Sequence, residues 1–208
     1  MPFSAYKTVD AVVKEFQIAY TKANFIIETE FNISDYFRED LEFVRREGAT
    51  DCSEYAICEN LIYPLLKEVW KQYFKNFILW SHKSLTYDER LSGFPEYVLA
   101  KRSPFGNVVF DKPYFMIVEA KQDNFENGWA QCIAEMIAAQ RLNEKLDQDV
   151  FGIVSNGEVW QFGKLQGNVF TKNKQSYLID DLNKLFAAIN YIFQECELLL
   201  NAEIGTQN

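Results

Sequence analysis

The stretch Phe115-Met116-Ile117-Val118-Glu119-Ala120-Lys121 is apolar on both faces until its last residues, and a strand of that kind belongs inside a sheet that is covered on both sides. At its end Glu119 and Lys121 are two residues apart, so they point to the same side of the sheet. A buried strand therefore delivers a carboxylate and an ammonium to one spot. This requirement, with helical and strand-like segments alternating around it, predicts an α/β fold with a mixed central sheet flanked by helices.

The neighbouring segments supply the rest of that fold. Cys58, Leu61, Ile62, Leu65, Leu66, Val69, Trp70 and Tyr73 recur at helical spacing from Asp51 onward, with Asp51 and Glu54 as the capping pair and Pro64 as a kink or interruption. Phe77 to Leu85, Pro95 to Lys101 and Tyr114 to Lys121 read as a meander of three strands. A helix from Asn127 to about Lys145 follows, then a hairpin of Val150 to Ser155 and Glu158 to Phe162 with the type I′ dipeptide Asn156-Gly157 at its turn. The order is α-β-β-β-α-β-β. Before it, Val9 to Tyr20 keeps helical spacing, Asn24 to Phe31 alternates like a strand, and a helix enters at Ser34 and closes at Gly48. After it, Leu182 to Leu200 forms one apolar stripe. Residues 1–208 thus read as a single domain, with an N-terminal α/β extension over 1–50, a core over 51–164 and a C-terminal strand and helix over 165–208.

Composition narrows the function. The 208 residues carry 18 Phe, 11 Tyr and 4 Trp, enough for a large core, and a formal net charge of −9, which argues against a protein that coats DNA or a membrane surface with clustered cations. An enzyme that meets phosphates through a metal ion remains compatible with that charge. No apolar run approaches a membrane span, and the opening residues lack the pattern of an export signal, so the sequence predicts a cytoplasmic protein that does not contact membrane. Cys52, Cys58, Cys132 and Cys196 form no CxxC pair and read as buried small hydrophobes. His82 is the only histidine and reads as a polar residue of the first strand.

Glu96 opens the strand before the Glu119 strand, beside Pro95, where a neighbouring strand can hold it near Glu119. Carboxylates from adjacent strands suit Mg²⁺ or Mn²⁺, and Lys121 could then orient an attacking water or offset charge on a phosphoryl group. Pro95-Glu96 followed by Glu119-Ala120-Lys121 resembles the signature of the PD-(D/E)XK nucleases, with Glu96 where that motif usually has Asp. The segment Lys112 to Lys121 with Gly128-Trp129-Ala130-Gln131 is similar to uncharacterised bacterial members of the type found beside the N-terminal nuclease domains of type I restriction subunits. The resemblance covers roughly Asp51 to Phe162.

It implies a restriction-endonuclease-like α-β-β-β-α-β core and Mg²⁺- or Mn²⁺-dependent hydrolysis of a phosphodiester, in DNA, by an enzyme of a restriction, defence or mobile-element system. Glu96, Glu119 and the Ala120 carbonyl would hold the metal, Glu59 would complete or buffer its shell, Lys121 would position water, and Gln131 would stand at the rim. It is also compatible with a homodimer, with a restriction-system partner protein, and with a second reading in which the fold is kept without chemistry, as a DNA-binding or regulatory partner. At 100° per residue Glu59 lies inside the apolar arc of its helix, where a lone charge needs a metal or lysine; at the edge of the stripe it would instead reach water. Gln131 and Glu135 lie one turn apart on an apolar helix, and Glu135 reads as facing solvent. Lys101-Arg102 and the segment Lys164 to Lys174 are the candidate phosphate contacts.

Overall fold

A computed structural model describes residues 2–206, with side chains described to Ala202. A 3-10 turn, Phe3–Ala5, leads into helix α1 (Val9–Phe16), which ends in the left-handed Gln17, and Tyr20 then lies on strand β1 (Ala19–Ala23). Asn24 to Phe31 forms no strand. Phe25, Ile26 and Phe31 instead pack onto the core from an irregular segment, so their apolar character reflects packing without a ladder. Helix α2 (Asp35–Glu47) is capped by the Ser34 hydroxyl and closed at Gly48, as its sequence predicts.

The next helix is built in three pieces: α3 (Glu54–Ile57), a π-helical turn over Cys58–Ile62, and α4 (Tyr63–Tyr73), with Pro64 in its first turn. Its N-cap is Ser53, whose hydroxyl accepts from the Ala56 amide, so Asp51 is not the cap. Strand β2 (Phe77–Ser81) stops where His82 takes a left-handed φ of 48°, and the chain makes a small separate hairpin of β3 (Leu85–Thr86) and β4 (Ser92–Gly93). Strands β5 (Tyr97–Lys101) and β6 (Tyr114–Ala120) complete the antiparallel meander with β2. Helix α5 (Phe125–Asn143) then returns the chain to β7 (Val150–Ser155), parallel to β6. Strands β8 (Val159–Gln166), β9 (Val169–Asn173) and β10 (Tyr177–Leu178) and helix α6 (Leu182–Thr206) finish the fold.

The result is an eight-stranded mixed sheet in the order β1-β9-β8-β7-β6-β5-β2, with β10 beside β8. It includes the N-terminal strand, which pairs in parallel with β9. Between β7 and β8 only Gly157 has positive φ, so the turn is not type I′, which needs positive φ at both central residues. Helices α2 to α4 and α6 cover one face, and α1 with α5 the other. Helix α5 is buried at every position from Gly128 to Gln140, because the sheet lies beneath it and α1, the 3-10 turn and the β3–β4 hairpin lie over it. Three cysteines are buried as expected, but Cys52 is exposed. No helix of the described residues is long and apolar enough to cross a membrane.

Strand β8 passes so close to the rings of Phe170 and Trp129 that a Cβ on Gly163 would stand 2.7 Å from Phe170 and 2.9 Å from Trp129. Both rings are fixed in the core. Gly163→Ala is expected to lower unfolding free energy by about 1–3 kcal/mol through overpacking, measured by urea denaturation. An unchanged midpoint would mean that the two rings can move apart freely.

Candidate active site

The antiparallel register of β5 and β6 pairs Tyr97 with Val118, so one further step sets Glu96 across from Glu119 at the end of the sheet. Glu119 lies on the face covered by α5, which sends Gln131 and Glu135 toward the same place. A cleft of about 460 Å³ brings Glu96, Glu119, Lys121, Gln131 and Glu135 together, walled in part by Phe3 and by Gly93 of the β3–β4 hairpin. Phe3 packs on Gly93 closely enough that a Cβ there would stand 2.7 Å from its ring. Pro2, Phe3 and Ser4 thus form one wall of the cleft.

The charges in this cleft are half-buried or buried, and each is held by neighbouring groups. Lys121 Nζ lies 3.3 Å from Glu119 Oε2 and 3.4 Å from Glu54 Oε2. Burial pulls its pKa down, but Glu119 and Glu54 outweigh that and hold it above the ordinary lysine value. Its stem runs beside Gly128, where a Cβ would stand 2.7 Å from Val154 Cγ1 and 3.0 Å from Lys121 Cγ, so the start of α5 packs closely on both side chains. Glu96 is gripped from the other side: His82 Nε2 is 2.7 Å from its Oε2, and the Cys58 thiol lies 3.5 Å from the same oxygen. Burial, and then the nearby Glu96 carboxylate, push the Cys58 thiol well up, so it stays protonated and can donate.

Glu119 and Glu135 are buried against each other. Desolvation pushes Glu119 up to about 7 despite the Lys121 charge. Glu135 is raised well above the usual carboxylate range, first by burial and then by Glu119. The pair therefore shares a proton at neutral pH, with Glu135 the carboxyl that keeps it, since Lys121 sits against Glu119. Glu135 Oε2 and Gln131 Oε1 are both buried without a hydrogen-bond partner. Two orphaned oxygens aimed into a cleft that already holds carboxylates fit a hard cation with its waters. Among the described residues no three His, Cys, Asp or Glu side chains surround an ion by themselves. A cation here would thus take one or two carboxylates and complete its shell with carbonyl oxygen, water and substrate.

Of the residues the sequence singles out, Glu96, Glu119, Lys121 and Gln131 line this cleft, and Ala120 is buried between Glu119 and Lys121. Glu59 does not join them. It is exposed at the mouth of a neighbouring cavity, because the π turn carries an extra residue and moves it off the apolar arc that a regular helix would give. The first-helix carboxylate that reaches the site is Glu54. Glu135 faces the cleft and not solvent, since α5 is covered on both sides. Its partnership one turn from Gln131 in an otherwise apolar helix is the signal that places both inside. His82 is a support of Glu96, a role marked in the sequence only by the end of the apolar run at Ser81.

Three of the candidate phosphate contacts are engaged elsewhere. Arg102 bonds the Phe74 carbonyl, Lys164 pairs with Asp149 and Lys172 lies over the Trp129 ring, all outside the cleft. Comparison with known protein families and with curated proteins returned no match.

Because the folded chain holds the Glu119 proton to about pH 7 whereas an unfolded carboxylate releases it near 4.3, the native state binds more protons between those values. Stability from this group is complete below that window and falls as pH rises through it. Glu119→Gln removes the titrating group, so the fall in Tm between pH 5 and pH 8 should be smaller in this variant than in the wild type by about 4 °C or more, read by calorimetry. An equal fall in the variant and the wild type would mean that the fold does not hold the Glu119 proton.

Proposed function

We propose that this chain is a divalent-cation-dependent phosphodiesterase of the PD-(D/E)XK nuclease type, acting on DNA. The observation that carries the reading is the convergence of Glu96, Glu119, Lys121 and Gln131 from two strands and the following helix on one cleft. Their order along a helix, a three-strand meander, a helix and a parallel strand supports it.

In this reading Glu96, Glu119 and the Ala120 carbonyl hold Mg²⁺ or Mn²⁺. The cation, when bound, polarises the scissile phosphate and lowers the pKa of an attacking water. His82 and the Cys58 thiol fix the Glu96 carboxylate, as supporting groups fix ligands in metal sites. Lys121, charged at neutral pH and held by Glu119 and Glu54, orients the water and offsets charge that develops on the phosphoryl oxygens. Glu135 stores a proton beside Glu119, and Gln131 offers its amide oxygen to a water at the cleft's inner wall.

A second reading, a nuclease fold serving as a DNA-binding or regulatory partner without chemistry, is favoured by one feature. Every charge in the cleft already has a partner within the chain, since Glu96 has His82, Lys121 has Glu119 and Glu54, and Glu135 has the shared proton.

Cleavage of supercoiled plasmid and single-stranded DNA in Mg²⁺ or Mn²⁺ separates the two. The wild type should nick DNA only with the cation, and Glu119→Ala and Lys121→Ala, checked for folding by circular dichroism, should each lose about 10²-fold or more. No cation-dependent cleavage, or cleavage unchanged in both variants, would favour the non-catalytic reading.

A further inference from the structure

Beyond the Glu96–His82 pair lies a second cavity of about 320 Å³ with four rings in its lining, those of Tyr55, Tyr63, Tyr97 and His82, beside Cys58, Leu79 and Ser81. Tyr55 and His82 lie nearly parallel with centroids 6.0 Å apart, and Tyr63 and Tyr97 do the same at 5.8 Å. Tyr55 is 69% exposed, so its ring contributes little to the core and is open to a planar ligand.

His82 ties the two cavities together. Its backbone sits at a φ of 48°, in the left-handed region that residues other than glycine rarely adopt. It is held there by three bonds: its amide donates to the Glu96 carbonyl at 2.9 Å, its Nδ1 lies 2.8 Å from the Ser81 hydroxyl, and its Nε2 lies 2.7 Å from Glu96. One ring is thus both a wall of the aromatic cavity and a support of the carboxylate in the cleft. At the mouth, the exposed Glu59 carboxylate has no hydrogen-bond or ion-pair partner among the described residues and is an acceptor for ring N–H or exocyclic amine groups.

We propose that this cavity binds one unpaired nucleobase of a DNA strand whose neighbouring phosphate lies in the carboxylate cleft. The proposal rests on the hydrolytic reading for the identity of the strand. Charge decides which part of the strand supplies affinity. A chain of net charge −9, whose basic side chains lie outside the cleft apart from Lys121, has few cations to offer the phosphates, whereas stacking on aromatic rings does not depend on protein charge. A base inside a duplex has both faces covered and its polar edge paired, so the cavity selects a nucleotide that is already single-stranded or turned out of the helix. Glu59 then meets the pairing edge that duplex DNA hides.

The test is fluorescence anisotropy in Ca²⁺ with three labelled probes of about twelve nucleotides: oligothymidylate, a strand of the same phosphates with abasic sites throughout, and oligothymidylate paired with its complement. The single strand should bind about ten-fold or more tightly than either of the others. Tyr55→Ala should lose about ten-fold for the single strand alone, and Tyr55→Phe should retain wild-type binding. Equal affinity for the abasic strand or the duplex, no binding of any probe, or indifference to Tyr55→Ala would overturn the proposal. Cleavage of the same strand in Mn²⁺ distinguishes it from the reading on which it rests. Base-dependent binding without cleavage keeps the aromatic site and removes hydrolysis, whereas cleavage with binding indifferent to Tyr55 does the reverse.

Discussion

Two carboxyls, Glu119 and Glu135, are buried against each other beside a single ammonium, Lys121, at the end of the sheet, and the surrounding structure is arranged around the cost of putting them there. Burying a charge away from water costs several kcal/mol, and apolar residues of similar volume would often stabilise a core as well or better. The group is therefore not explained by stability. It is tolerated because one proton is shared between the carboxyls, because Glu54 supplies a second countercharge to Lys121, and because strands and helices on all sides fix the members in place.

Each element contributes one constraint. The antiparallel pairing of β5 with β6 puts Glu96 opposite Glu119, and the parallel pairing of β6 with β7 forces a crossover, which is α5. That crossover packs back on the sheet and brings Gln131 and Glu135 over the strand end. The amide of Lys121 donates to the Ser155 carbonyl at 3.0 Å, which extends the β6–β7 ladder to the residue that carries the ammonium. The same strand ends also leave Tyr97 and His82 facing the aromatic cavity, so one corner of the sheet serves both sites.

How much of this could be read in the sequence depends on how local the governing rule is. Glu119 and Lys121 follow from the two-residue period of a strand, and Glu96 from a simple antiparallel neighbour, so all three are found where alternation places them. The α/β class and the α-β-β-β-α-β order follow from periodicity for the same reason. Glu59 is misplaced because a π turn breaks the 100° rule on which its position depends, a departure that no residue of Cys58 to Ile62 announces. Glu135 is hidden because helical spacing says which residues share a face but not that α1 and the 3-10 turn cover the outer face of α5. The strand expected over Asn24 to Phe31 fails because apolar alternation also arises when an irregular segment packs on a core, and the strand that does form, β1, is exposed along its whole length and carries no apolar pattern. His82 gains its role from a backbone bend and a contact with a residue fourteen positions away, neither of which is local.

The proposed cation site in the carboxylate cleft is tested most directly by anomalous diffraction from crystals grown with Mn²⁺. A peak within bonding distance of the Glu96 and Glu119 carboxylates and the Ala120 carbonyl is the expected result. No peak in the cleft at a Mn²⁺ concentration well above those that support metal-dependent hydrolysis, with His82–Glu96 and Lys121–Glu119 still paired, would contradict it and leave the charge group as a closed network.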